Sequence, residues 1–172
     1  MVYGVYRFDH WYEYVEEAMR YFGFSRSKAG ELADKYWKAP GYYVKMGKKF
    51  VMLSNKTKPI VDIAEDLEKA FYGHTSYVSV DDFRHISGWV TRPVGYDENG
   101  DVIHGVVDFA IHVIPYKKKA KITILNVSVD VSEEDEYFAE QLKESAIAEV
   151  EDKIKDILEK HGIEDIDVEH KV

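Results

Sequence analysis

Near residue 77 the apolar residues of this chain stop recurring every three to four positions and begin recurring every second one. That change constrains the fold more than any other feature. A helix turns a side chain to the same side every ~3.6 residues and a strand every two. The alternating stretch predicts three long antiparallel strands, near 83–96, 102–114 and 120–131. Asn99-Gly100 is a strong hairpin signal between the first two, and "PYKKKA" turns into the third. In the middle strand Val107, Phe109, Ile111 and Val113 share one side, with His104, Asp108 and His112 on the other. In the last, Thr123, Leu125, Val127, Val129 and Val131 oppose Asn126, Ser128 and Asp130. One face is therefore core, and the other polar or half-covered.

Helical spacing flanks this block. Ser132 is placed to cap a helix running to about His161, with Glu133, Glu134, Asp135 and Glu136 near its positive end. Phe138, Leu142, Ile147, Val150, Ile154 and Leu158 form its stripe. At ~1.5 Å per residue it spans about 42 Å, enough to lie across the sheet or reach a partner. "IDVEHKV" suits an edge strand.

On the N-terminal side, "VYGVYRF" suits a strand or packed arm and Asp9 an N-cap. Trp11, Tyr14, Val15, Ala18 and Phe22 follow at helical spacing up to Gly23. Ser25 caps a second helix whose stripe is Ala29, Leu32, Ala33, Tyr36 and Trp37, stopped by Pro40-Gly41. "YYVKM" and "KFVML" flank Gly47-Lys48, which suits a two-residue type II′ hairpin. A third helix begins near Pro59, buries Ile60, Ile63, Ala64, Leu67, Ala70 and Phe71, and closes at Gly73. The expected fold is α+β: N-terminal helices with a short β-hairpin, then an antiparallel sheet packed by a long C-terminal helix. The boundary expected from composition is near 74–77, dividing 1–74 from 75–172, although the two parts can also pack as one domain.

Charge is distributed unevenly. Residues 20 to 58 hold ten basic residues against Glu31 and Asp34, a net +8 inside a chain of −9, which leaves −17 for the rest. A basic island in an acidic chain points to a polyanion, or to an acidic protein surface. There are no cysteines, which excludes disulfides, thiolate metal sites and cysteine nucleophiles. No apolar run approaches the ~18 residues of a membrane span, and "MVYGVYRFDHW" lacks the pattern of a signal peptide, so a cytoplasmic location is expected. Gln141 is the sole glutamine, and Asn55, Asn99 and Asn126 are the only asparagines. Few thermolabile residues among many charges predict a heat-adapted, archaeal source.

Residues 14 to 54 carry a helix ending at "YFG", a short "FS" turn, the helix "SRSKAGELADKYW", an "APG" stop and the hairpin "YYVKMGKKFVML". This stretch resembles the recognition helix and wing of winged helix-turn-helix proteins. The resemblance implies a second helix in the DNA major groove and a hairpin on the backbone. It places Arg26, Ser27 and Lys28 at the N-terminus of the reading helix, and Lys45, Lys48 and Lys49 at phosphates. Arg20 and Lys35 complete the candidate nucleic-acid set. The stretch departs from the family in lacking the usual leading helix. It also carries Gly30 inside the helix, and Glu31 and Asp34 on its outer face. The other reading is an amphipathic helix and hairpin with solubilising lysines. Arg7 among the aromatics of "YGVYRFDHWYEY" suggests base stacking or, alternatively, sealing of the helix–sheet junction. Lys117, Lys118, Lys119 and Lys121 offer a second phosphate contact or a solubilised hairpin tip.

The polar sheet face is the other candidate site. His104 and His112 lie ~27 Å apart along one strand, with Asp108 ~13 Å from each, so these three cannot share a metal. If Ile114 pairs with Ala120, Asp108 opposes Asn126 and His104 opposes Asp130. If the Asn99-Gly100 turn sets the first hairpin, Thr91 opposes Asp108 and Ser87 opposes His112. Trp89, His104, Asp108, His112 and Asn126 would then line a ligand pocket or a solvated face. Ser87 lies in a strand and not in a nucleophile elbow, and no phosphate-binding loop or dinucleotide fingerprint occurs. No cofactor, metal or catalytic residue is expected. The sequence reads as a non-enzymatic, nucleic-acid-associated protein, with DNA as partner and a homodimer to enlarge its surface. An assembly protein and a small-ligand binder or enzyme are the alternatives.

Overall fold

A computed structural model describes residues 2–72, 75–131 and 136–172. The expected stop at Gly73 and the cap and acids at Ser132, Glu133, Glu134 and Asp135 lie outside the described residues, as does His74 in the expected boundary. The chain is α+β, and its described residues form two sheets and two apolar cores.

The smaller unit begins with β1 (Val5–Phe8), followed by α1 (Trp11–Phe22) and α2 (Arg26–Tyr36). β2 (Gly41–Lys45) and β3 (Phe50–Met52) complete it. The strands form an antiparallel sheet in the order β1-β2-β3, so "VYRF" is a strand and the hairpin has a third neighbour. Gly47 takes a positive φ of 64° at the hairpin tip, and the Met46 amide donates to the Lys49 carbonyl at 2.9 Å. Phe8, Tyr14, Val15, Ala18, Ala29, Ala33, Tyr43 and Phe50 fill the core. The N-cap of α1 is His10, not Asp9. Glu13 reaches back to accept the amides of Asp9 (2.9 Å) and His10 (2.8 Å), while the Asp9 carboxylate pairs with Arg7.

The larger unit contains α3 (Lys58–Ala70), β4 (Ser76–Asp82), β5 (His85–Tyr96), β6 (Val102–Ile114), β7 (Lys119–Val129), α4 (Glu136–Lys160) and β8 (Asp165–His170). Its five-stranded sheet follows chain order, antiparallel except for the parallel pair β7-β8. The C-terminal "IDVEHKV" thus supplies an edge strand, and β4 adds one beyond the three expected from periodicity. α3 and α4 cover one face. The apolar stripe expected for α3 is buried against the sheet, so this helix shares the larger core although it precedes residue 75. In α4 Ala146 and Ile157 join the buried stripe, while Phe138 is only half-buried.

Two irregularities alter the register. Between β5 and β6 the turn spans Asp97 to Asp101, and a second shift falls between Pro93 and Gly95. Together they move the pairing by two residues. Trp89, not Thr91, opposes Asp108, and His85, not Ser87, opposes His112. An even shift keeps every side chain on its face, which is why the facial assignment survives. Between β6 and β7 Ile114 pairs with Lys119, not Ala120, and a bulge at Leu125 restores the Asp108–Asn126 pair. Asp130 still opposes His104 and donates its amide to the His104 carbonyl at 3.0 Å. The bulge overturns simple alternation in β7: Ala120, Ile122, Ile124 and Val127 are buried, whereas Leu125 is exposed.

Residues 2 to 4 join the two units. Tyr3 donates its amide to Val78 (2.9 Å) and accepts one from Val80 (2.8 Å), and the Gly4 carbonyl accepts from Lys45 (2.9 Å).

Candidate nucleic-acid interface

The basic island falls on the smaller unit, where its side chains meet tyrosines. Ser25 caps α2 by accepting the Lys28 amide at 3.2 Å. Arg26, Ser27 and Lys28 occupy the first turn, all exposed, and no acid shares that turn. Its free amides and positive dipole end add to the two cations. The Lys28 ammonium lies 4.9 Å from the Phe24 ring centre.

At the other end of α2, Tyr36 receives two cations. Lys35 lies 5.3 Å from its ring centre, and Lys49, from the hairpin, lies 4.8 Å away and donates to the phenol oxygen at 3.2 Å. The hydrogen bond from Lys49, with the added charge of Lys35, lowers the Tyr36 pKa below its usual value. Lys45 makes the matching contact with Tyr21 at the end of α1, 5.1 Å from the ring and 3.2 Å from its oxygen. Each contact of this kind holds the ammonium against a ring face and leaves its outer side to solvent. Lys48 stands exposed at the hairpin tip. Arg7 lies over Tyr42, 5.1 Å away.

Arg20 differs from the others. It grips Glu17 at 2.9 Å, and that hydrogen bond raises its pKa. Lys58 meets Asp62 at 3.8 Å. Among the described residues, no carboxylate lies within ion-pair distance of Arg26, Lys28, Lys35, Lys38, Lys45, Lys48, Lys49 or Lys56. The basic turn of the larger unit behaves differently. Lys118, Lys119 and Lys121 pair with Glu164, Asp165 and Glu169 at 3.9, 3.8 and 2.7 Å. The chain thus pairs three of the four lysines of this turn, with Lys117 lying instead 5.9 Å from the Tyr116 ring centre, and leaves most of the other cluster open.

Two features that counted against a nucleic-acid surface have local roles. Asp34 accepts the Trp11 indole N–H at 2.9 Å, which ties α2 to α1. Gly30 faces the same indole, 3.8 Å from where a β-carbon would stand. Glu31 remains exposed among the cations.

The polar face of the large sheet is laid out in cross-strand rows. Tyr77, Trp89, Asp108 and Asn126 form one row; Ser79, Ser87, Ala110 and Thr123 form the next. His85 stacks on His112 with ring centres 4.5 Å apart and planes 3° off parallel, and its Nδ1 meets Asp82 at 2.8 Å. Desolvation lowers the His112 pKa, aided by the charges of His85 and Arg84. Asp108 and Asn126 are brought together as expected, while His104 and His112 remain at opposite ends of β6. Neither the cavity at the junction of the units nor the shallow depression along α4 is lined by Trp89, His104, Asp108, His112 or Asn126. No group of three or more potential metal ligands occurs among the described residues, and none of their helices is long and apolar enough to cross a membrane.

Sequence reasoning missed the tyrosine partners Tyr21 and Tyr36, and the His85 partner of His112. A helical wheel places Tyr36 at the end of the α2 stripe, but only the fold of the hairpin brings Lys49 to it. No protein-family model, no curated protein and no solved structure matches the chain.

Proposed function

We propose that the protein is a non-enzymatic nucleic-acid-binding protein that grips duplex DNA with α2 and the β2–β3 hairpin. One observation carries this reading: the open cations of residues 26 to 56, beside a second basic cluster in which Lys118, Lys119 and Lys121 are paired within the chain. Arg26, Ser27 and Lys28 contact phosphate at the start of α2, and Lys35, Lys45, Lys48 and Lys49 extend the contact along the hairpin. Lysine and arginine on phosphates give affinity with little sequence preference. One such lobe covers little DNA, so a homodimer belongs to the proposal.

The test is anisotropy of a labelled duplex titrated at several salt concentrations. Affinity falls steeply between ~50 and ~200 mM salt, because each neutralised phosphate releases counterions. Arg26→Ala with Lys28→Ala weakens binding and flattens the salt slope by about 2, one per contact. Lys118→Ala with Lys119→Ala, whose targets already hold carboxylates, leaves it unchanged. Absence of binding to duplex, single-stranded DNA and RNA at ~50 mM salt sinks the proposal.

The charge division supports a second reading, in which the basic lobe docks on an acidic protein. α4 exposes Glu140, Glu144, Asp152, Asp156 and Glu159, so a second copy offers such a surface. Under this reading a dimer forms without nucleic acid and dissociates as salt rises.

A further inference from the structure

The geometry points to a binding site for a small organic anion with a flat apolar body, in the cavity where the smaller unit meets the edge of the large sheet. The cavity measures about 860 Å³, within the ~300–1,000 Å³ usual for small-molecule sites. Met46 and Val51 of the hairpin form one wall, and Phe83 and Tyr116 of two turns of the large sheet form another. These side chains make the lining mainly apolar, as a planar hydrocarbon or heteroaromatic body requires.

Arg84 supplies the charge. Its guanidinium lies 5.0 Å from the Phe83 ring centre and 5.9 Å from that of Tyr116. Its Nε is buried without a hydrogen-bond partner. The nearby acid in sequence is already engaged: Asp82 accepts the Arg84 backbone amide at 2.8 Å and meets the His85 ring at 2.8 Å. Among the described residues no carboxylate lies within ion-pair distance of the guanidinium. A buried donor on a fixed cation leaves its desolvation uncompensated. A carboxylate, sulfonate or phosphate entering the cavity would satisfy it, and the guanidinium fork matches such a group. Lys56, on the rim, adds a second positive charge. The cavity borders the proposed DNA-binding hairpin and shares Lys56 with its open cations, but the anion site is built on Arg84 and does not depend on that reading.

The test uses the full chain and two probes of similar shape, the anionic 8-anilinonaphthalene-1-sulfonate and the neutral N-phenyl-1-naphthylamine. The sulfonate binds the wild-type protein saturably at one site. Arg84→Met keeps the side-chain stem and removes the charge. It weakens sulfonate binding at least tenfold while changing binding of the neutral probe less than twofold. In wild-type protein carrying ¹³C-methyl methionine, the sulfonate shifts the Met46 resonance and leaves Met19, in the other core, in place. The methyl readout decides the matter even if the variant fails to fold. Unsaturable sulfonate binding, unchanged affinity in a folded Arg84→Met, or a Met46 methyl that does not respond would each overturn the inference.

Discussion

Tyr14 shows how much one hydroxyl can organise. Its ring is fully buried, and its oxygen both donates to the Phe50 carbonyl (2.8 Å) and accepts the Phe50 amide (2.9 Å). Burial pushes its pKa up to about 12, so it stays a neutral donor throughout the working range. Tyr14→Phe leaves both backbone groups of Phe50 unpaired and is expected to cost about 1–3 kcal/mol in urea unfolding. Arg92 makes the same point with charge. It is 7% exposed beneath α4 and bonds Glu149 through one Nη, while its Nε and other Nη lack partners. Glu149→Ala strands a buried cation and is expected to cost about 3 kcal/mol. Arg92→Leu leaves a carboxylate that reaches water, so its unfolding midpoint should fall less. Equal losses in the two variants would show that the pair does not carry the burial cost assigned to it.

At the scale of elements, β5 and β6 bring two histidines face to face beside a fixed positive charge. Desolvation, His85 and Arg84 hold the His112 pKa below its ordinary 6.5, while Asp82 opposes them weakly. The unfolded chain therefore binds more protons in the window just under that value, and stability rises with pH there. His112 contributes its full share above pH 6.5, and that share is lost as pH falls toward the lower folded pKa. Urea midpoints of the wild-type protein should thus drop from pH 7.5 to 5, and those of His112→Asn should drop less. The same pair of strands shows what was legible in advance. Faces were readable from alternation, because the register error was even. In β7 the bulge at Leu125 is invisible to a period of two, so alternation places Thr123 and Leu125 on the core face, where Ile122 and Ile124 stand instead.

For the molecule as a whole, the joint between the units runs through residues 2 to 4 and through Val44, which is buried in the larger core. Tyr3 and Gly4 stitch the small sheet to β4, and Gly4 holds a φ of 83° that other residues adopt with strain. A β-carbon there would stand 2.0 Å from the Val80 carbonyl oxygen. Gly4→Ala should therefore separate the two units, splitting one calorimetric transition into two, with the smaller unit melting first. A single unshifted transition would show that the units are held by other contacts. The candidate interface depends on the same organisation. The basic island and its helix-plus-hairpin frame were readable in the sequence, since charge and turn signals are local. That its cations lie open, while Lys118, Lys119 and Lys121 are neutralised, depends on where β8 returns.

The sequence by itself determined the α+β class, the long helix, the hairpin at Gly47-Lys48, the buried faces of α3 and β6 and the concentration of positive charge. Each follows from residues close enough in the chain to act on one backbone segment or one face. Tertiary structure alone decided the third strand of the small sheet, the register of β5, the pairing of Lys49 with Tyr36 and the cavity around Arg84. Those features join residues that are distant in the chain. Their contacts are set by how sheets twist, bulge and pack, and no local periodicity encodes that.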